Sequence, residues 1–346
     1  VGNDLMTFRT CTPISTQRWL DGTPPLASII CRTYNHSKYI KDAIEGFLKQ
    51  ETSFPVEILI FDDASDDGAQ DIIRSYAEQY PQSIFATLQV ENQYKKFPKT
   101  DKYIAEPIPR GKYIAKCEGD DYWEDETKLE KQVQFLENNK EYVVAYHDAK
   151  VIDEEGKLLH ESRLSSNAYT YKDKKKPDKD KRDFTATELM LGARILFLTI
   201  CYRNVIEKRP DEAIRSFAGD RWLSVLLGEH GKGKYMGDQI RPAVYRRHRG
   251  GVSYNMLSDN SKNRKRMKLE ILMSFCEMFL YHCRTKDEEF AISFLNQTLY
   301  GHIREILKKE YEKDIKDTIT YKVGLFFTFL PKTIIKTIKY LYNKIN

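Results

Sequence analysis

The sequence predicts an α/β fold, a mostly parallel sheet with helices on its faces. Three observations carry that expectation. Short apolar runs recur along residues 26–146, the segments between them carry apolar residues at helical spacing, and several runs break off in acidic residues. Strands buried on both faces read as continuous hydrophobic runs, and alternation with helices sets them parallel in one sheet.

Residues 1–25 show no clear period and close on Pro24-Pro25, which reads as a lead-in. Leu26–Cys31 is the first strand, and residues 38–49 place Ile40, Ile44, Phe47 and Leu48 on one helix face. Val56–Phe61 is the second strand and ends in Asp62-Asp63; Asp66 or Asp67 then caps a helix carrying Ile72, Ile73, Tyr76 and Ala77. Strand-like runs follow at Ile84–Gln89, Lys112–Cys117 and Tyr142–Tyr146, with a helix over 127–138. The mixed-charge run 172–182 reads as a solvated loop. Past about residue 255 the pattern is helical and basic. The expected organisation is therefore a lead-in over 1–25, an α/β domain over 26–255 and a basic helical extension over 256–346.

Composition bounds the function. The 346 residues are 41% hydrophobic, enough to bury a core, and 56 Lys+Arg against 51 Asp+Glu leave only +5, too mild for a protein that coats nucleic acid. The longest near-unbroken apolar run, Val323–Leu330, is far short of the roughly 20 residues a spanning helix needs. The six cysteines form no CxxC and no Cys/His ligand spacing, so free thiols in a cytosolic setting are expected, with neither a zinc site nor a disulfide framework. No signal peptide is legible; the chain opens on Val1, which leaves a removed leader open.

In such sheets ligands sit beyond the carboxyl ends of the strands, which points to Thr33–His36, Asp62–Ser65 and Glu118–Asp121. Glu118, Asp120 and Asp121 repel one another unless a cation sits among them, and a few hard oxygen ligands suit Mg²⁺ or Mn²⁺ carried with a substrate's phosphates. A helix N-terminus explains Asp125 but accounts poorly for Glu118. An acid at the end of the second strand can accept hydrogen bonds from a ribose or a base, or simply cap a turn. His36 and His147 read as satisfied structural residues. The stretch 228–234 fits GxxxxGK, but Tyr235 replaces the required Ser/Thr, so a P-loop is rejected.

Taken together, SIICRTYNHSKYIKDAIEGFLKQ, EILIFDDASDDG, GKYIAKCEGDDYW and VVAYHDAKVIDEEGK, followed by Gly219–Leu223 and Tyr245–Ser253, resemble the family 2 glycosyltransferases of the GT-A fold over about residues 26–255. The resemblance implies a Rossmann-like GT-A domain, inverting transfer from a nucleotide-sugar donor, UDP-sugar in the first instance, and Mn²⁺ or Mg²⁺ as cofactor. It implies that Thr33, Tyr34 and Asn35 line the nucleobase pocket and that Asp63 holds the base. Glu118, Asp120 and Asp121 fill the acidic metal motif, with Glu118 in place of the usual Asp; either Asp120 or Asp121 meets the metal and the other the ribose. Arg246 and His248 match a motif that approaches the diphosphate or metal. Asp220 matches the catalytic base, although alone, before WLSVLL, it reads as a helix cap. Gly219 stands where the family often carries another acid. The segment 92–110 departs from the family pattern, two prolines argue against a full helix there, and Lys95, Lys96, Lys99 and Lys102 are all candidates for the missing basic contact.

Two other readings stay open: a catalytically silent sugar-nucleotide-binding protein of the same fold, and a sugar-phosphate nucleotidyltransferase. The latter wants a glycine-rich loop after the first strand, and residues 31–36 contain no Gly. Expected partners are the nucleotide-sugar donor and a glycan or lipid-linked acceptor, with no nucleic acid. In 331–346, Ile334, Ile335, Ile338, Leu341, Tyr342 and Ile345 share one helical face opposite Lys332, Lys336 and Lys339. That face suits either an anionic membrane surface at the cytoplasmic side or protein, this domain or a second copy in a homodimer.

Overall fold

The computed structural model describes residues 10–20, 22–96, 108–165, 180–214, 216, 218–251 and 261–299. Residues 172–179 of the charged run, Lys99, Lys102, the boundary near 255 and the tail at 331–346 lie outside them, as do the side chains of Lys95 and Lys96.

In chain order the elements are β1 (Thr12–Pro13), β2 (Ala27–Thr33), α1 (Ile40–Leu48), β3 (Glu51–Thr52), β4 (Val56–Asp62), α2 (Ala69–Gln79), β5 (Ile84–Leu88), α3 (Gln93–Lys96), β6 (Tyr113–Lys116), α4 (Lys128–Asn138), β7 (Tyr142–Tyr146), β8 (Ala149–Ile152) and β9 (Leu158–His160). There follow α5 (Ala186–Met190), β10 (Cys201–Arg203), α6 (Asp211–Ile214), α7 (Gly219–Gly228), β11 (Lys232–Tyr235), β12 (Ala243–Arg246), α8 (Ser261–Thr285) and α9 (Glu288–Phe294). The central sheet runs β11-β7-β10-β6-β2-β4-β5. Its ladders are parallel except at β10, which lies antiparallel between β6 and β7.

The β2 ladder explains where a site can form. It pairs with β4 from Ala27 opposite Val56 to Thr33 opposite Asp62, and with β6 from Ala27 opposite Tyr113 to Ile30 opposite Lys116. The carboxyl ends of three strands thus emerge side by side. All seven residues of β4 are buried, as expected for a strand covered on both faces. On α1 the buried set Ile40, Ala43, Ile44, Phe47 and Leu48 recurs at helical spacing and packs on the sheet. A smaller sheet, β12-β8-β9, stands at the edge of the site, and an isolated bridge between Tyr122 and Val244 ties β12 to the loop after β6.

Helix α7 belongs to two cores. Leu223 and Leu227 pack in the main core; Trp222, Val225 and Leu226 pack with Phe275, Met278 and Phe279 of α8 and Phe294 of α9. At its end, a Cβ on Gly228 would lie 2.6 Å from the Met190 amide nitrogen and 2.7 Å from the Ala186 carbonyl oxygen, so only Gly lets α7 approach α5 this closely. Among the described residues no helix is long and apolar enough to cross a membrane.

Two histidines are buried where they cannot readily charge. His282 on α8 is fully buried with Nε2 3.0 Å from the Met190 carbonyl, and burial pushes it down to about 4. His147, after β7, has both ring nitrogens buried without a hydrogen-bond partner; burial and then the charge of Lys128 hold it well below the ordinary imidazole value. His147 is a structural residue, as the sequence predicts: the fold encloses its ring completely. A depressed imidazole leaves stability intact above about pH 6.5 and removes it as the pH falls toward the folded value. His282→Gln keeps a donor for the Met190 carbonyl and cannot protonate. Its stability relative to the parent should therefore improve by about 2 kcal/mol between pH 7 and pH 4.5 in urea denaturation. A difference that does not move with pH would contradict a neutral, buried His282.

Candidate active site

The loops after β2 and β4 are fastened to each other. The Asn35 amide donates to Ser65 Oγ at 2.8 Å, its side-chain nitrogen donates to Asp66 Oδ1 at 2.9 Å, and the Asp66 amide returns a bond to Asn35 Oδ1 at 3.1 Å. The Ser37 amide donates to Asp67 Oδ2 at 2.8 Å, which fixes the entry to α1. Asn35 sits at φ 55, a left-handed conformation that Asn tolerates because its short polar side chain bonds locally. Asp62 is fully buried and accepts from the Ser65 amide at 2.8 Å and from Gln70 at 2.7 Å.

The loop after β6 presses against this pair. The Gly119 amide donates to the Arg32 carbonyl at 2.9 Å, and a Cβ at Gly119 would lie 2.6 Å from Thr33 Oγ1 and 2.9 Å from Ile40 Cδ1. Glycine between two carboxylates is what lets the acidic turn reach the end of β2. Thr33 is buried with Oγ1 lacking a hydrogen-bond partner, and Tyr34 is half-buried beside it.

The three acids point to different tasks. Asp121 is buried and accepts the Arg246 amide at 2.8 Å, so it holds the end of β12 to the acidic turn. Burial, then the charges of Asp120 and Glu118, push its carboxyl well above the usual range. Glu118 is pushed up to about 7 by burial and then by Asp120. Asp120 behaves oppositely. Burial opposes its charge, but the hydrogen bond from His248 and the nearby His36 imidazole hold it below its ordinary value. Two of three neighbouring acids thus favour a proton, which is how crowded, buried carboxylates divide the charge among themselves.

His248 Nε2 lies 3.0 Å from Asp120 Oδ2, and His36 Nε2 lies 3.8 Å from the same oxygen. Donor atoms of His36, Asp120 and His248 all fall within 4.8 Å of one another; Glu118 and Asp121 are outside that group. The residues fit a divalent cation: one carboxylate that favours its charge, two imidazoles beside it, and a Nδ1 on His36 buried without a partner. Burial holds the His36 imidazole below its ordinary value, which favours the neutral ring that a metal needs. The expectation that His36 is a satisfied structural residue is corrected, because the fold turns it to Asp120 and leaves Nδ1 unpaired. The sequence signal that could have found it is its position at a flagged strand end, three residues before Tyr39, whose ring packs on His248 at 4.8 Å.

Arg246 is held just behind this group. Its guanidinium donates to Asp42 Oδ2 at 2.7 Å and to the Asp120 carbonyl at 3.2 Å, and it lies 4.7 Å from the Tyr39 ring and 5.5 Å from the Tyr122 ring. Asp42, Tyr39 and Tyr122 were absent from the sequence expectations; they meet Arg246 only through the bridge of β12.

Two expected residues stand apart from the cluster. Asp63 accepts the Gln93 amide at 2.7 Å and the Tyr94 amide at 3.0 Å, so its carboxylate caps α3 in this structure. Asp220 lies in the first turn of α7, with Oδ1 accepting the Arg221 amide at 2.8 Å, while the Arg221 guanidinium donates to the Gly192 carbonyl at 2.5 Å. Among the described residues no hydrogen bond or ion pair joins Asp220 to the His36–Asp120–His248 group.

A parallel sheet with one antiparallel insertion and an acidic turn at its carboxyl edge defines a GT-A glycosyltransferase fold. The solved structure of S. aureus TarS 1-349 in complex with UDP superposes with a TM-score of 0.52 at 14% identity, over 89% of this chain and 82% of that one. Residues 28–197, about half of the chain, match the model for glycosyl transferase family 2, and that region belongs to the family. An uncharacterized protein of Mycobacterium bovis is 34% identical over 235 residues, covering 68% of this chain and 62% of the relative, so the chain spans under two thirds of that protein's length. The Escherichia coli enzyme named UDP-Glc:alpha-D-GlcNAc-diphosphoundecaprenol beta-1,3-glucosyltransferase is 35% identical over 115 residues, 33% of this chain and 43% of the relative.

Proposed function

We propose that the protein is an inverting, metal-dependent glycosyltransferase that moves a sugar from a UDP-sugar to a hydroxyl acceptor in glycan or cell-surface polysaccharide assembly. The observation that carries this reading is the convergence of Asp120 and His248, from distant parts of the chain, at the carboxyl edge of a family 2 sheet. UDP as the carrier is supported by the UDP held by TarS and by the donor named for the Escherichia coli relative; that relative's name also supports a lipid-linked acceptor.

In this reading Thr33, Tyr34 and Asn35 face the nucleobase, and Asp63 reaches it by giving up the α3 amides it now caps. Asp120 and His248 hold Mn²⁺ or Mg²⁺, and a bound cation would let Glu118 and Asp121 give up the protons they favour in its absence and add negative charge nearby. A divalent cation there supplies the positive charge that a departing nucleoside diphosphate needs. Arg246, ion-paired with Asp42, places a second cationic group on the same side. Asp220 accepts the proton of the acceptor hydroxyl. The lead-in over 1–25, a catalytic domain over 26–255, and a basic extension over 256–346 that meets a membrane surface or another protein complete the reading.

A panel of nucleotide sugars measured by thermal shift tests it. A UDP-sugar with Mn²⁺ at about a hundred times its Kd should stabilise the fold by about 2.7 kcal/mol. EDTA should abolish the effect. Stabilisation that EDTA leaves untouched removes the metal from the reading, and no response to any nucleotide sugar removes the donor.

A further inference from the structure

We infer that His36 is a third protein ligand of the divalent cation, and that the His36–Asp120–His248 group takes up Mn²⁺ before any nucleotide arrives, in preference to Mg²⁺. The inference rests on the cation assigned under the proposed function, and deepens it by naming the ligand set and the order of binding.

Geometry comes first. Two ligand atoms each about 2.1 Å from one ion lie about 3.0 Å apart at a right angle and about 3.4 Å apart in a tetrahedron. The observed separations from Asp120 Oδ2 are 3.0 Å to His248 Nε2 and 3.8 Å to His36 Nε2, with all three donors inside 4.8 Å. The second distance is too long for a hydrogen bond and needs only a small inward movement to share an ion. A structural histidine at this depth ordinarily donates to a carbonyl or carboxylate; His36 Nδ1 has no partner although it is buried.

The ring is also built into place. The His36 carbonyl accepts the Tyr39 and Ile40 amides, each at 2.8 Å, and thereby starts α1. Asn35 on one side is locked to Ser65 and Asp66, and Ser37 on the other to Asp67. The His36 and His248 rings meet edge to face at 5.5 Å, and Tyr39 packs on His248 at 4.8 Å. Two imidazoles presented this rigidly require little reorganisation to bind an ion.

Ligand chemistry then sets the preference. Mg²⁺ favours oxygen, keeps its waters and binds mainly through carboxylates and phosphates. Two imidazoles with one carboxylate suit transition ions, and three protein ligands give an ion a foothold that one carboxylate would not. The remaining coordination positions are left for the donor.

The test uses the full chain without nucleotide, titrated with Mn²⁺, with free ion read from its electron paramagnetic resonance signal. One Mn²⁺ per chain should bind, and a hundredfold excess of Mg²⁺ should leave most of it in place. His36→Asn should weaken Mn²⁺ uptake at least tenfold, as should His36→Gln, with thermal midpoints in EDTA checking that both variants fold. Co²⁺ bound to the parent should show a visible absorption band that shifts in His36→Asn. Parent-like Mn²⁺ affinity in both His36 variants, with loss in His248→Asn, overturns the role of His36 and leaves the cation reading standing. Uptake only when UDP-sugar is added overturns the preformed site alone. No Mn²⁺ uptake under either condition overturns the cation reading as well.

Discussion

Asp220→Asn is expected to slow sugar transfer by roughly a hundredfold to ten-thousandfold, the range typical for loss of a general base. Donor affinity, measured by calorimetry with Mn²⁺ present, should stay within a factor of about two. The reason lies in the placement of Asp220. It sits in the first turn of α7, apart from the His36–Asp120–His248 cluster, and Asn keeps an oxygen for the Arg221 amide. Asn therefore conserves the local hydrogen bond while removing the basicity. If Asp220 served only its own helix end, the substitution would shift stability by less than about 1 kcal/mol and leave transfer untouched. Undiminished transfer in Asp220→Asn would assign the residue to the helix and reopen the non-catalytic binding reading, which Gly219 in the preceding position already favours.

Asp120→Asn is expected to cut transfer by at least about a hundredfold and at the same time to change how the stability of the metal-free protein varies with pH. The loss follows because Asp120 supplies the charged oxygen shared by His36 and His248. The second effect follows because its charge is among the causes that push Glu118 up to about 7 and Asp121 well above the usual carboxylate range. A folded-state value raised above the unfolded one makes stability fall as the pH rises through that interval. Removing the charge should flatten this loss for Glu118 between about pH 4.5 and 7, so the thermal midpoint of the variant in EDTA should fall less over that interval than the parent's does. A midpoint that falls with pH as steeply in Asp120→Asn as in the parent would show that the acids do not oppose one another as their positions imply.

Much of the first half was legible because its physics is local. The expected strands at Leu26–Cys31, Val56–Phe61, Ile84–Gln89 and Tyr142–Tyr146 differ from the observed ones by at most a residue or two; all but the edge strand β5, where only Ile84 is buried, are largely covered runs. Beyond Tyr146 the strands shrink to three or four residues, too short for a period. Strand β10 exists because Tyr202 finds Ile114 on one side and Val144 on the other, pairings separated by scores of residues. Gln132 illustrates the same limit: a polar residue in a helix pattern, it proves fully buried, bonding the carbonyls of Ala145 and Thr199 at 3.0 and 2.9 Å.

The site divides in the same way. The acidic turn was legible because carboxylates at a strand end are unusual enough to need a reason. The distinct orientations of Glu118, Asp120 and Asp121 were not, because they depend on β12 arriving beside the turn. Asp63 and Asn35 were flagged by position, but the partners that hold them, the α3 amides and Asp66, come from backbone geometry that no residue type announces.

The seating of α7 between two cores has a mechanical consequence. Its first turns are held on one side by Leu223 against the sheet and on the other by Trp222 against the C-terminal helices. Trp222 is two positions from Asp220. The helix is a beam clamped along both flanks, with the carboxylate at its free tip. Whatever pulls on or braces α8 bears on that beam directly, so an acceptor or surface engaged by the C-terminal region would trim the aim of Asp220 without touching the donor.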